Sequence, residues 1–135
     1  MKLSVNRNSF WAIWLLFLLP GAKADLPADQ ILGRWLFPSK GSSVDIYRIG
    51  NQYFARVAEV DKAGEKNYGL IKDKVLIRNL TFDGEVWSDG DLVHPKTGMT
   101  LSVEVHLSSP HTITVTVYKG IKLLHKKFIM TRQIS

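Results

Sequence analysis

Histidines are the side chains of this sequence best suited to hold a metal ion or to transfer a proton. There are four, His94, His106, His111 and His125. A zinc site needs about three or four converging ligands, and zinc-binding sequences pair them at short, characteristic spacings. No pair of these histidines has such a spacing, and the chain contains no cysteine. The sequence therefore predicts solvated histidines and no metal site.

The acidic residues Glu85, Asp89 and Asp91 are a second candidate for chemistry, as calcium ligands or as a general acid and base. A calcium loop of the EF-hand type needs a longer series of ligands, and Asp-Gly within a polar run is typical of turns. The sequence also has no Gly-rich phosphate loop, no nucleophile elbow and no His-Glu-x-x-His pattern. We therefore expect a protein that is not an enzyme and that carries no cofactor.

Large apolar side chains are the remaining candidates, and the chemistry they offer is the binding of an apolar molecule. Such residues most often fill a core, but they also line ligand pockets. Both roles are open from the sequence. The candidate lining residues are Trp35, Phe54, Trp87, Leu101, Val103, Val115 and Phe128.

Alternation of apolar and polar residues with a period of two shows which elements must position these side chains. It is clearest in residues 99–107 and 111–118, and it continues in a last strand that ends at Arg132. This period predicts half-buried strands. Short turns at 108–110 and 119–120 would join the three strands into an antiparallel meander.

The first half of the domain shows the same pattern less clearly. Further strands are predicted at residues 33–37, 44–49, 53–60, 74–80, 85–87 and 92–93, and residues 61–67 are predicted to form a polar loop. No helical periodicity appears outside the N-terminal segment. About eight short strands without crossover helices predict an all-β fold, a small antiparallel up-and-down barrel. The interior of such a barrel is either filled by side chains or holds one small ligand.

The N-terminus has the three parts of a secretory signal peptide. Lys2 and Arg7 provide a basic start, residues 10–19 are an unbroken apolar run, and Ala22-Lys23-Ala24 supplies small residues for cleavage. We expect cleavage after Ala24, which leaves residues 25–135 as a single exported domain. A cysteine for lipid attachment is absent. Three basic residues leave with the signal, so the mature net charge is 15 − 12 = +3, and we expect no nucleic-acid partner.

Specific motifs add a resemblance to these patterns. Gly33-Arg34-Trp35 resembles the Gly-x-Trp signature of lipocalins, in which the tryptophan closes the barrel base and an arginine of the last strand packs on it. Arg132 is placed to be that arginine. Residues 33–132 resemble the bacterial exported proteins catalogued as domain of unknown function 2147, most specifically at 87–98, at Tyr118-Lys-Gly120 and at 130–132. The resemblance implies a lipocalin-like barrel in a Gram-negative periplasm. It carries no established activity, so it transfers no catalytic residue.

Two functions fit this sequence. The first is a non-enzymatic binder of a small apolar or amphipathic molecule. The second is an interaction module of the cell envelope, with a solid-packed barrel and binding through loops 61–68 and 87–98, because loops on a rigid scaffold often carry function. An enclosed cavity of about 300 Å³ or more would favour the first. For either function we expect a monomer or weak dimer with no membrane span after cleavage.

Overall fold

The computed structural model describes residues 26–120 and 125–134. The predicted signal peptide, residues 1–24, lies outside the described residues. A 3-10 helix spans Pro27–Ile31, and the compact unit that contains the sheet begins at Ile31. None of the helices within the described ranges is sufficiently long and apolar to span a membrane.

A closed antiparallel barrel of eight strands is the main element of the fold. Each strand pairs with its neighbours in sequence, and the first and last strands close the barrel through Trp35↔Arg132 and Leu36↔Thr131. This confirms the predicted all-β, up-and-down architecture. The strands are β1 (Gly33–Leu36), β2 (Ser43–Ile49), β3 (Gln52–Glu59), β4 (Val75–Phe82), β5 (Trp87–Val93), β6 (Thr100–Ser109), β7 (Thr112–Tyr118) and β8 (His125–Arg132).

The core lies inside the barrel because alternate residues of each strand point inward. Val103 and Val105 on β6 and Ile113 on β7 have no exposed surface. Polar and charged residues occupy most of the intervening positions and are more exposed, with the exception of the buried Thr116. Met99, the first residue of the strand predicted at 99–107, precedes β6 instead and is 46% exposed.

A short helix, α1 (Lys62–Tyr68), replaces the polar loop predicted at residues 61–67. Asp61 is its N-cap: the carboxylate accepts a hydrogen bond of 2.7 Å from the Gly64 N–H and another of 2.7 Å from the Ser42 hydroxyl. Gly69 ends the helix in the left-handed region, at φ 66°, and donates its N–H to the Glu65 carbonyl. A helix of two turns is too short for an apolar periodicity to show in the sequence. The signals available for it were the N-cap Asp61 and the terminal Gly69.

Residues 88–91, predicted to be a turn, lie within the continuous strand β5. Asp89 adopts a positive φ of 61°, and the pairing of β5 with β6 shifts register between Trp87 and Gly90. A Cβ atom at Gly90 would lie 2.7 Å from a Leu80 methyl and 3.1 Å from the Arg78 carbonyl oxygen. The Asp-Gly pair therefore forms a β-bulge, which uses the same backbone freedom as a turn.

Candidate functional site

One end of the barrel is closed by Trp35 and Arg132. Trp35 is fully buried, and its indole N–H donates a hydrogen bond of 2.9 Å to the Ile31 carbonyl. The Arg132 guanidinium carbon lies 4.3 Å from the centroid of the Trp35 ring. Its Nη1 donates to the Leu32 carbonyl at 2.8 Å, and its Nε donates to the Pro110 carbonyl at 3.0 Å. Partial burial lowers the pKa of this guanidinium.

Gly33 belongs to the same closure. It has a φ of 130°, which favours glycine, and a Cβ atom there would lie 2.9 Å from Arg132 Nη1. The structure thus brings together the three residues, Gly33, Trp35 and Arg132, to which the sequence analysis assigned barrel closure.

Two further predicted lining residues, Trp87 and Val103, are packed into the core. Trp87 is 1% exposed and Val103 is fully buried, and the Trp87 ring lies 4.5 Å from that of Phe82. Neither residue lines the cavity described next, and neither does Trp35. These three side chains fill the barrel, which is the alternative role that large apolar residues commonly take.

A cavity of about 410 Å³ occupies another part of the barrel interior. Leu101, Val115 and Phe128, all predicted as lining residues, line it. The other described residues of its wall are Phe37, Val44, Asn67, Tyr68, Leu70, Leu76, Ile77, Leu92, His94, Pro95, Val117, Tyr118, Lys119, His125, Lys126 and Met130. Most of them are aliphatic or aromatic, so the wall is well suited to apolar contact.

Aromatic rings from three separate segments meet at the cavity wall. Tyr68, the last residue of α1, has its ring centroid 5.3 Å from that of Phe37 and 5.6 Å from that of Phe128. The Phe128 ring stands almost perpendicular to Tyr68, at 83°, which is a preferred edge-to-face arrangement. The cap formed by Asp61 and Gly69 therefore holds part of the cavity wall in place through Tyr68.

Phe54 does not line the cavity, which corrects the prediction for this residue. Its neighbours Tyr53 and Ala55 are buried, so alternation places Phe54 on the outer face of β3. Its ring stacks on Tyr47 with a centroid distance of 5.6 Å, and Arg56 lies 5.4 Å from the Tyr47 centroid. Apolar character alone led to the wrong face, because the register of β3 was ambiguous in the sequence.

The cavity bears on one part of the alternative function, the solid-packed barrel. A space of about 410 Å³ does not fit a barrel filled solid by side chains, whereas binding through loops 61–68 and 87–98 stays a prediction. The proposed loop at 61–68 is α1 with its N-cap, and residues 87–93 of the other are strand β5. Only the remainder of that segment, from His94 onward, is a loop.

Two of the four histidines lie at the cavity, which the sequence analysis did not predict. His94 and His125 are lining residues, whereas His106 contacts Glu104 on the outer face of β6. Within the ranges described, no three His, Asp or Glu side chains group together in a way that could hold a metal ion. Lys126 was also missed, although it alternates with Phe128 and Met130 and so shares their face of β8.

Comparison with known proteins places the chain among its relatives. Residues 33–132 match the family described as an uncharacterized protein conserved in bacteria, DUF2147. The chain belongs to this DUF2147 family. The Helicobacter pylori protein HP1028, described as belonging to the lipocalin family, is similar in structure to this DUF2147 protein, with a TM-score of 0.59 and 18% identity. The similarity covers 78% of this chain and 84% of HP1028, and it shows a lipocalin-like fold. No curated protein matches the sequence.

Proposed function

We propose that this DUF2147 protein is a non-enzymatic periplasmic protein that binds a small apolar or amphipathic molecule inside its barrel. The observation that supports this proposal is the cavity of about 410 Å³ beside a closed, well-packed barrel base. This volume falls within the range of about 300–1,000 Å³ that is usual for small-molecule sites. Lipocalin-like architecture, shared with HP1028, agrees with an interior site.

Burial of apolar ligand surface is the driving force that this site offers. Each methylene group removed from water contributes about 0.8 kcal/mol. Leu101, Val115 and Phe128 lie on three adjacent strands and would contact such a group directly. Binding rather than turnover is the activity we assign to this wall.

A cavity-filling substitution tests the proposed function. Leu101→Trp adds volume inside the cavity, and we expect it to abolish binding of an environment-sensitive fluorescent fatty-acid probe while the far-ultraviolet circular dichroism is retained. Phe54→Trp is the matched control, because it enlarges a side chain on the outer face and should leave probe binding unchanged. Equal probe binding by wild type and Leu101→Trp would place the binding surface outside the cavity and overturn the proposal.

Export is part of the proposed function and has its own test. We expect the protein recovered from a Gram-negative periplasmic fraction to begin at Asp25, as read by N-terminal sequencing or intact mass. Recovery of a chain that retains Met1 in the membrane fraction would contradict the assignment to the periplasm.

A further inference from the structure

The cavity wall is apolar in its interior and basic where it reaches solvent. Four lining residues are exposed, Asn67, Lys119, His125 and Lys126, and we refer to them as the mouth. Half-buried His94 also lines the cavity. None of the described lining residues is an aspartate or a glutamate. The mouth therefore carries positive charge without an acidic residue in the same wall.

Lys126 is directed to the barrel side of β8 by the strand register. Lys126 pairs with Val117 and Phe128 pairs with Val115, so the two β8 residues share the face that lines the cavity. The Lys126 ammonium nitrogen lies 5.5 Å from the centroid of the Phe128 ring. Lys127 pairs with Thr116 and lies on the opposite face. An inward lysine beside an aromatic ring puts a cation next to the apolar interior.

The two lysines of the mouth lack acidic partners within the described part of the chain. No carboxylate oxygen lies within 4.0 Å of the ammonium nitrogen of Lys119 or Lys126 there, in contrast to Arg34, which pairs with Asp45 at 2.7 Å. A cleft whose walls are apolar and whose charges have one sign concentrates the electric field and attracts ions of the opposite sign. An anion is the group that would complement this mouth.

His94 adds a hydrogen-bond donor to the same wall. Its Nδ1 accepts hydrogen bonds from the backbone N–H groups of Lys96 and Thr97, at 3.2 and 3.3 Å. With Nδ1 as acceptor, the neutral ring carries its proton on Nε2. That edge of the ring lies next to Gly69, where a Cβ atom would be 3.0 Å from His94 Cε1. The loop at 94–99 thus fixes the ring with its Nε2 as a donor.

From these observations we propose that the cavity takes a single-chain amphiphile with an anionic head group. The tail contacts the aromatic and aliphatic wall around Phe128, and Lys126 and Lys119 bind the head group. This inference rests on the proposed function, since it presumes that the cavity binds a ligand. A volume of about 410 Å³, near the lower end of the usual range, favours one chain over two.

Amphiphiles with the same tail and different head groups separate this inference from the proposed function. Decanoate, decyl phosphate, decanol and decyltrimethylammonium are titrated below their critical micelle concentrations in competition with a neutral fluorescent probe. We expect both anions to bind more tightly than decanol, and decyltrimethylammonium to bind least. Which anion binds more tightly distinguishes a carboxylate from a phosphate head group.

Substitution of the inward lysine provides the matched comparison. Lys126→Gln should weaken decanoate binding by roughly twofold to fivefold, and Lys119→Gln/Lys126→Gln by more, because solvent-exposed charge pairs have modest energies. The affinity for decanol should change much less than the affinity for decanoate. Lys127→Gln removes the same charge from the outer face of the same strand, and we expect it to leave the preference for anions intact. Added salt should reduce that preference.

The outcomes discriminate clearly. If decanol and decanoate bind equally, and Lys126→Gln affects neither, the head-group inference is wrong while the proposed function stands. If Lys126→Gln and Lys127→Gln weaken decanoate equally, net charge rather than the mouth determines the preference, and the inference is also wrong. If the wild-type protein binds neither the probe nor any of the four amphiphiles, the proposed function fails.

Discussion

Removal of the Arg132 guanidinium should open the weakest seam of the barrel, which is the pairing between strands β1 and β8. Strands β1 and β8 are joined by two register pairs, whereas β7 and β8 share seven. The Arg132 side chain reinforces this short seam by lying over Trp35 and by bonding the Leu32 and Pro110 carbonyls. Arg132→Met keeps much of the aliphatic volume and removes all three interactions.

The expected loss follows from these contacts. A partly desolvated cation–π contact contributes about 1–2 kcal/mol, and the part-buried hydrogen bond to Leu32 contributes about 1 kcal/mol. The bond to Pro110 is exposed and adds little. We therefore expect the free energy of unfolding to fall by about 2–3 kcal/mol, which for a domain of this size lowers Tm by roughly 10–20 °C.

Urea unfolding followed by tryptophan fluorescence, together with thermal unfolding, measures this loss. Arg34→Met is the control: it removes an arginine from β1 whose partner, Asp45, is on the barrel surface, and it should destabilise the protein far less. Hydrogen exchange should show faster exchange at the β1–β8 amides in Arg132→Met. If Arg132→Met has the wild-type Tm, or loses no more than Arg34→Met, the assigned closure is wrong.

Three other predictions concern the interior, the helix and pH. Val115→Asp should fold but lose its apolar ligand, because water in the cavity can solvate the carboxylate, and an unfolded Val115→Asp protein would contradict this. Val103→Asp should not fold, because Val103 is buried outside the cavity. Circular dichroism and probe binding test both variants. Asp61→Ala should fray α1 and thereby weaken probe binding, because Tyr68 of α1 lines the cavity. Hydrogen exchange measures the protection of the α1 amides and titration measures the probe affinity; unchanged protection of these amides would refute the prediction. The hydrogen bond from Arg34 lowers the pKa of Asp45, so the ionised Asp45 contributes its full stabilisation above the unfolded-state pKa of about 3.9 and loses it as pH falls through the folded-state pKa. Below about pH 4, the urea midpoint of Asp45→Asn should therefore depend less on pH than that of wild type. Identical pH profiles of the two proteins would refute this prediction.

Long alternating segments made the fold predictable from the sequence. Residues 99–107 and 111–118 alternate over many positions, so a slip of one residue would expose every valine of the inward stripe. The closure was expected from the resemblance of Gly33-Arg34-Trp35 to the lipocalin signature, which also implied a role for Arg132 on the last strand. Consistent local signals of this kind specify one topology.

Shorter elements were not predictable, for identifiable physical reasons. Helix α1 is only seven residues long, and its cap at Asp61 depends on Ser42, which is distant in sequence. The Asp-Gly pair at 89–90 suits a turn and a bulge equally, and only the packing of Leu80 against Gly90 decides between them. Local sequence cannot report either long-range contact.

The candidate site was predicted in part because a cavity arises from what side chains fail to fill. Leu101, Val115 and Phe128 face it, but Trp35, Trp87 and Val103 share their apolar character and pack into the core instead. Which inward residues border empty space depends on barrel tilt and on the position of α1, and neither is encoded by local alternation. The basic mouth was missed because it depends on the register of β8, which places Lys126 opposite Val117.

Native mass spectrometry of the protein purified from periplasm tests the central claim, that the barrel cavity holds a small molecule, most directly. Wild type and Leu101→Trp are analysed side by side, and the molecules released on denaturation are identified. We expect wild type to carry a small amphiphilic molecule at a stoichiometry of about one, as a single cavity site predicts, and Leu101→Trp to carry none. The same bound molecule in both proteins, or failure of wild type to retain any added amphiphile, would contradict the claim.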